Sequence, residues 1–475
     1  MITAHGRARR NPPLSAPQGP TTVADSDGHP LELEDRPIGS GGQGSVYRVR
    51  QSRFAVKLIH QREETEGLGD TLAERLDRLR WLPMEGLPIA RPIRSLAPPH
   101  LGYTMDLLDD MASMEPLCEA PEGDLVEWYL SGGGLERRLR LLARLADVLA
   151  VLHGRGMVYS DLSPRNVLVS ASQQHHQVWL IDPDNIAVES SALGRAIGTP
   201  RYMAPELYDG RSGNSQFSDV FSLAVLVHQA LRADHPLIGD LADLSVENER
   251  RALCGELPWT GHSGDDRNRS ECGIPEDLVL IARIRRLLRD AFEAGLNEPL
   301  KRPTARAWAN ALYAAADLTL TCGRSGCRGS YYMLRNRCPY CDAARPDFAL
   351  AMVRTHLPAN RGPQGREPGR VDSQEGIVLL KDQPVNATQR HTQLITASAE
   401  APAARLRWDG DDTVHIENLG HVPLRRVPPS GGAGRRLMPR SNATERISSE
   451  WRLHFGEDDQ VHRMLSFHKY KAERA

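Results

Sequence analysis

Apolar and polar positions along this chain change period several times, and each change marks an element. Leu72, Leu76 and Leu79 recur at helical spacing within Thr71-Leu72-Ala73-Glu74-Arg75-Leu76-Asp77-Arg78-Leu79. Leu135-Glu136-Arg137-Arg138-Leu139-Arg140-Leu141-Leu142-Ala143-Arg144-Leu145 repeats that pattern and predicts a long helix, and the Ala-rich run from Ala305 to Asp317 predicts another. Phe54-Ala55-Val56-Lys57-Leu58 and Gly102-Tyr103-Thr104-Met105-Asp106-Leu107-Leu108 read as short strands. The most apolar pieces, Leu223 to Val227 and Leu278 to Ile284, are far shorter than a membrane span. From about 376 to 470 the texture becomes short alternating runs, Gly376 to Leu380, Ala404 to Trp408, Thr413 to Asn418 and Trp451 to Phe455, separated by Gly, Pro and Asn. Such spacing predicts a small antiparallel β-sandwich. Residues 343–375, rich in Pro, Arg and Gly, read as a linker, and residues 1–30 as a flexible tail.

The candidate chemistry lies between these elements. Val158-Tyr159-Ser160-Asp161-Leu162-Ser163-Pro164-Arg165-Asn166-Val167-Leu168-Val169 is followed by Leu180-Ile181-Asp182. An aspartate, an asparagine five residues on and a second aspartate sixteen after that suit phosphoryl transfer. The first carboxylate orients a hydroxyl; the other two side chains hold metal against phosphates. Upstream, Ile38-Gly39-Ser40-Gly41-Gly42-Gln43-Gly44-Ser45-Val46-Tyr47 is a glycine-rich turn, and Lys57 follows Gly44 by thirteen residues. Downstream stand Gly198-Thr199-Pro200-Arg201-Tyr202-Met203-Ala204-Pro205-Glu206, then Phe217-Ser218-Asp219-Val220-Phe221-Ser222, then Lys301-Arg302-Pro303-Thr304.

In this order the motifs resemble those of eukaryotic-type Ser/Thr protein kinases, over roughly residues 31–320. The resemblance implies an α+β, two-lobed kinase domain with an N-lobe at 31–108 and a C-lobe at 109–320. It implies ATP bound between the lobes, with Gly39, Gly41 and Gly44 at the phosphates. Val46, Ala55, Met105 and Leu168 would surround the adenine, and the backbone of Asp106 and Leu108 would bond it. Lys57 would grip the α- and β-phosphates, held by Glu74, with Glu63, Glu64 and Glu66 as competing partners. Asn166 and Asp182 would bind magnesium, Asp161 would orient the acceptor hydroxyl, and Arg302 would pair with Glu206.

Three departures from the family pattern stand out. Tyr159-Ser160 replaces His-Arg, which suggests activity without phosphorylation of the activation loop. Ser163 replaces a lysine, with Arg165 as a candidate to supply the missing charge. Asp182-Pro183-Asp184 replaces Asp-Phe-Gly; Pro183 fixes φ, and Asp184 reads as a solvated loop carboxylate, the alternative being a further acidic neighbour for magnesium. Ser163 also matches a bacterial branch whose loop reads Asp-Leu-Ser-Pro-x-Asn. Lys57, Asp161, Asn166 and Asp182 all stand, so an active kinase is the expectation and a nucleotide-binding pseudokinase scaffold the alternative. Thr199 is expected to bond Asp161, His153 to satisfy backbone groups at a helix end, and Ser190, Ser191 and Thr199 are possible phosphorylation sites.

Four of the seven cysteines crowd together as Cys-x4-Cys-x10-Cys-x2-Cys, at Cys322, Cys327, Cys338 and Cys341. Two close pairs across a hairpin suit a closed four-thiolate zinc site, here a ribbon at 321–342. Disulfides or a redox pair are the alternatives; the N-terminal residues show no apolar secretory segment, and no βαβ pattern surrounds the cluster. Arg324, Arg328, Arg335 and Arg337 interleave with Tyr331 and Tyr332. That mixture suits either single-stranded nucleic acid or a protein-docking knob with solvated arginines, the latter being the expectation.

The 475 residues carry 59 basic and 61 acidic side chains, a net −2, which argues against general nucleic-acid or membrane attachment. A cytoplasmic protein is expected. The 376–470 region is similar to forkhead-associated domains, although a generic protein-binding sandwich is the expectation. A kinase joined to a four-cysteine ribbon resembles the kinases of bacterial phosphorylation triads in tellurite-resistance-type stress systems. That resemblance implies a von Willebrand A-domain protein and a metal-dependent protein phosphatase as partners.

Overall fold

Backbone contacts in the computed structural model divide the chain into two units, residues 1–111 with 180–186, and residues 112–179 with 187–475. The structure describes residues 22–41, 44–60, 72–189, 196–208, 210–358, 369–394, 400–431 and 434–472. Glu63, Glu64, Glu66, Ser190 and Ser191 lie outside them.

In the first unit, five antiparallel strands run in the order Gly39–Ser40, Gly44–Arg48, Phe54–Ile59, Gly102–Asp106 and Arg94–Ser95. Alternation along Phe54–Ile59 sorts its side chains. Val56 turns to a core of Val23, Leu33, Tyr47, Val49 and Leu96. Ala55 and Lys57 turn to the opposite face, where Val46 lies across from Lys57 and Met105 across from Ala55. The strands approach so closely that two positions demand glycine. A Cβ on Gly44 would fall 2.3 Å from the Leu58 carbonyl oxygen, and one on Gly102 2.0 Å from that of Lys57. The expected tail ends earlier than residue 30. Thr22–Ala24 pairs with Pro30–Glu32, and Val23 is buried because its apolar side chain completes the core.

The second unit is built on three helices, Gly134–Gly154, Gln216–Arg232 and Ala305–Asp317. Ser215 and Ser218 close a reciprocal capping box at the start of the second, and Thr304 caps the third through the Ala307 N–H. Leucines of the first helix and Trp308 of the third are fully buried. Each such side chain contributes about 1.5–3 kcal/mol on leaving water.

Past residue 318 the described residues continue as paired strands. Thr319–Thr321 and Ser330–Tyr332 form the ribbon hairpin. The Tyr332 hydroxyl donates to the Val279 carbonyl, and the Glu136 N–H donates to Ser330 Oγ, so the ribbon is seated on the helical region. Two antiparallel sheets follow. One has six strands in the order Gly369–Leu380, Phe348–Leu357, His462–Tyr470, Arg452–His454, Leu424–Val427 and Arg435–Leu437. The other has four, Val385–Thr388, Pro402–Trp408, Thr413–Asn418 and Asn442–Arg446. Ala351, Ile377, Leu406, Trp408, Ile416 and Phe467 pack together in their shared core.

The 343–375 stretch is therefore not a linker, since it holds the ten-residue strand Phe348–Leu357 at the interior of the larger sheet. Both faces of that strand are buried. Ala349, Ala351 and Val353 face the second sheet, whereas Phe348 and Leu350 pack on Leu320, Tyr331 and the cysteines. A strand covered on both sides lacks polar alternation, which is why its pattern misleads.

Candidate active site

The Asp161 loop is fixed from beneath by one buried carboxylate. Asp219, in the first turn of Gln216–Arg232, accepts from the Tyr159 N–H at 2.7 Å and the Ser160 N–H at 2.9 Å. His153 Nε2 lies 3.0 Å from the same carboxylate, so this histidine supports Asp219 rather than the backbone groups expected. Ser160 adopts a left-handed φ of 75°, which these bonds and the Asn214 amide on its carbonyl hold in place. On the other side of the loop, Thr199 Oγ donates to Asp161 Oδ1 at 2.7 Å. The Asn166 amide donates to the Asp161 carbonyl at 2.8 Å and reaches Oδ2 at 3.2 Å. Asp161 and Asn166 are thus brought side by side, half-buried, with Leu168 half-buried on the next strand. Arg165 points elsewhere: its exposed guanidinium bonds Glu115. Below the activation segment, Arg302 makes a two-pronged pair with Glu206 at 2.7 and 2.8 Å and also donates to the carbonyls of Gly295, Leu296 and Phe217.

In the other unit, Lys57 is buried, and its ammonium meets two carboxylates. Asp182 lies at 3.0 Å and Asp184 at 2.6 Å, while the Tyr103 hydroxyl donates to Asp184 at 3.1 Å. Burial alone would lower the Lys57 pKa; the charges of Asp184 and then Asp182 outweigh it, and the pKa is raised. Asp184 was expected to be solvated. It is only 11% exposed, because the Pro183–Asn185 turn folds it back onto Lys57. Glu74 stands on the helix Leu72–Trp81 with an exposed side chain. Gly39 and Gly41 would each carry a Cβ into open space, whereas Gly44 answers to the sheet. Val46 and Met105 are half-buried, Ala55 fully buried and Asp106 exposed. Tyr103 was not singled out from the sequence, and Asp184 was not recognised as a partner of Lys57. Two carboxylates flanking a proline, beside a buried lysine, were the available signal.

The four clustered cysteines bring their sulfurs within 4.8 Å of one another. Cys322 and Cys341 are 3.6 Å apart, and Cys327 and Cys338 3.8 Å. These separations exceed a disulfide bond of about 2.05 Å. They match the edge of about 3.8 Å that a tetrahedron with zinc–sulfur bonds of about 2.3 Å requires. The Arg324 and Gly329 N–H groups point at Cys322 and Cys327, as thiolates need. The donor set is therefore compatible with zinc. Around it, Arg328 pairs with Glu127, Arg335 with Asp277 and Arg337 with Asp342, while Arg324 donates to the Cys341 carbonyl. Tyr331 and Tyr332 are buried. Arg328 and Arg337 are more than half exposed in these pairs, as expected of solvated arginines, whereas Tyr331 and Tyr332 face inward.

Residues 105–310 match the protein kinase domain family. Serine/threonine-protein kinase pkn2 of Myxococcus xanthus is 30% identical over 220 residues, covering 43% of this chain and 25% of that protein. Serine/threonine-protein kinase PkaA of Streptomyces coelicolor is 29% identical over 245 residues, 48% of this chain and 45% of its own length. Human serine/threonine-protein kinase D2 is 26% identical over 236 residues, 48% and 25%. The chain thus spans less than half the length of each of these relatives. These relatives are serine/threonine protein kinases, bacterial ones among them, and residues 105–310 are the part of this chain that matches the protein kinase domain. No helix among the described residues is long and apolar enough to cross a membrane.

Proposed function

We propose that this chain is an active, ATP-dependent kinase that phosphorylates Ser or Thr on itself or on partner proteins in a signalling or stress response. The observation that carries the reading is Asp161, its carboxylate bonded by Thr199 and Asn166 on a loop anchored by Asp219. In that position it orients an acceptor hydroxyl and takes its proton. Lys57 binds the α- and β-phosphates. By resemblance to kinases, Val46, Ala55, Met105 and Leu168 are assigned to the adenine, with the backbone of Asp106 and Leu108 bonding it. Asp182 and Asn166 are the magnesium ligands; the ion, when bound, offsets charge on the phosphate oxygens. The pseudokinase reading is the weaker one, because none of Lys57, Asp161, Asn166 and Asp182 is missing.

The four thiolates are assigned a structural zinc, with no open coordination position and no catalytic part. The domain order supports membership of a triad with a von Willebrand A-domain protein and a metal-dependent phosphatase, the C-terminal sheets serving as the protein-binding module. Incubating the purified chain with labelled MgATP and such partners should place label on Ser or Thr. Wild type that transfers no more label than Lys57→Ala would end the kinase reading. Elemental analysis of the same sample should find zinc, lost in Cys338→Ser; a metal-free wild type with folded ribbon would remove that assignment.

A further inference from the structure

Among the described residues, the buried ammonium of Lys57 has two acidic neighbours, and they differ. Asp182 is 36% exposed and sits at a left-handed backbone position, φ 54° and ψ 58°, before the Pro183–Asn185 turn. Asp184 is largely buried and held at both oxygens, Oδ2 by Lys57 and Oδ1 by the Tyr103 hydroxyl. Tyr103 is itself fully buried and lies directly across the sheet from Lys57, with the ammonium 5.7 Å from its ring centre. An unpaired charge buried at such a place is strongly destabilising. A lysine whose sole carboxylate partner also had to serve a metal would lose that partner when the metal arrived.

We propose that Asp184 is the positioning residue for Lys57, oriented by Tyr103, so that Asp182 is released to bind metal while the lysine stays paired. The inference rests on the ATP-binding reading above and deepens it. Lys57, Tyr103 and Asp184 form a fixed unit, joined through adjacent strands and one tight turn. Asp182 is the more exposed of the two carboxylates. Asp184 touches neither phosphate nor metal in this scheme; it acts through Lys57.

Two readouts on the full-length chain test this. The first is the pH dependence of Lys57 acylation by an amine-selective reagent in nucleotide-free protein, followed by mass spectrometry. Asp184→Asn keeps the shape and the bond from Tyr103 but removes the charge that favours the ammonium. Its labelling midpoint should therefore fall to lower pH, with faster labelling at pH 8. The second is the dissociation constant for MgATP. Loss of a charge-assisted bond should weaken binding by at least about tenfold in Asp184→Asn. Tyr103→Phe should change both in the same direction by less, and it serves if Asp184→Asn does not fold. Unchanged labelling midpoint and MgATP affinity in both variants overturn the proposal. Wild type that does not bind MgATP overturns the kinase reading, and the acylation profile still decides the role of Asp184.

Discussion

The loop that carries Asp161 and the pocket that holds Lys57 solve the same problem differently. Both immobilise a charged group. Around Asp161 the supports are His153, close by in sequence, and Thr199, Asn214 and Asp219 from distant parts of the chain, and they mostly hold backbone rather than the carboxylate. Around Lys57 they are side chains on two neighbouring strands and one turn, and they hold the charge itself. The first arrangement follows the kinase motifs closely. The second departs from them where Asp184 stands in place of glycine. Burying an ammonium demands a carboxylate, and the one present at the right distance supplies it, whatever its place in the motif.

The largest effect that would break this contrast is at Asp219. Asp219→Ala strands two backbone N–H groups and His153, and each orphaned buried donor costs about 1–3 kcal/mol. Phosphate transfer should be lost, with a sharp fall in the melting temperature; a variant as active and stable as wild type would show that the loop needs no such anchor. Next in size is Arg302→Met. Breaking the buried pair with Glu206 should destabilise by about 3–5 kcal/mol in urea unfolding. A change below 1 kcal/mol would mean that neighbouring carbonyls compensate.

A smaller effect depends on pH. His454 is buried beside His462, His356, Arg425 and Asp458; burial and then these neighbouring positive groups lower its pKa from 6.5 to about 3. The unfolded chain takes up the proton more readily, so the stability from neutral His454 is full above pH 6.5 and lost progressively as pH falls towards 3. Buried His228 and His235, lowered to about 3 and about 4, act in the same direction. The melting temperature should drop between pH 7 and 4, and His454→Phe should flatten that slope without abolishing it. An identical slope in the variant would remove His454 from the account. The smallest effect is at Arg328→Ala. Its pair with Glu127 is exposed on both sides, so the loss should stay within about 1 kcal/mol.

Legibility followed the kind of information each region carries. The helix Ala305–Asp317 was readable because its apolar period fixes it locally, whereas the Asp161 loop and the distant Arg302–Glu206 pair were readable through the resemblance of their motifs to those of protein kinases. The strand Phe348–Leu357 was not, since burial on both faces erases alternation and the Pro-rich stretch beside it suggested a linker. The seating of the last region on the helices was also hidden. It depends on Asp317, at the end of its helix, meeting Arg390, His391 and Arg140. Burial would raise the Asp317 pKa; Arg390 and then His391 hold it well below the usual carboxylate range. No local pattern announces a partner more than seventy residues away. Asp184 escaped for a related reason: whether a loop carboxylate is solvated is decided by how the turn folds, not by its neighbours in sequence.

The central claim is that Asp161 serves the transfer step and Lys57 the nucleotide. Measuring MgATP affinity and labelled-phosphate transfer together in Asp161→Asn tests it most directly. The account predicts binding within about twofold of wild type and transfer reduced by about 10²–10⁴, the usual range for loss of a general base. Transfer at the wild-type rate, with affinity unchanged, would contradict it.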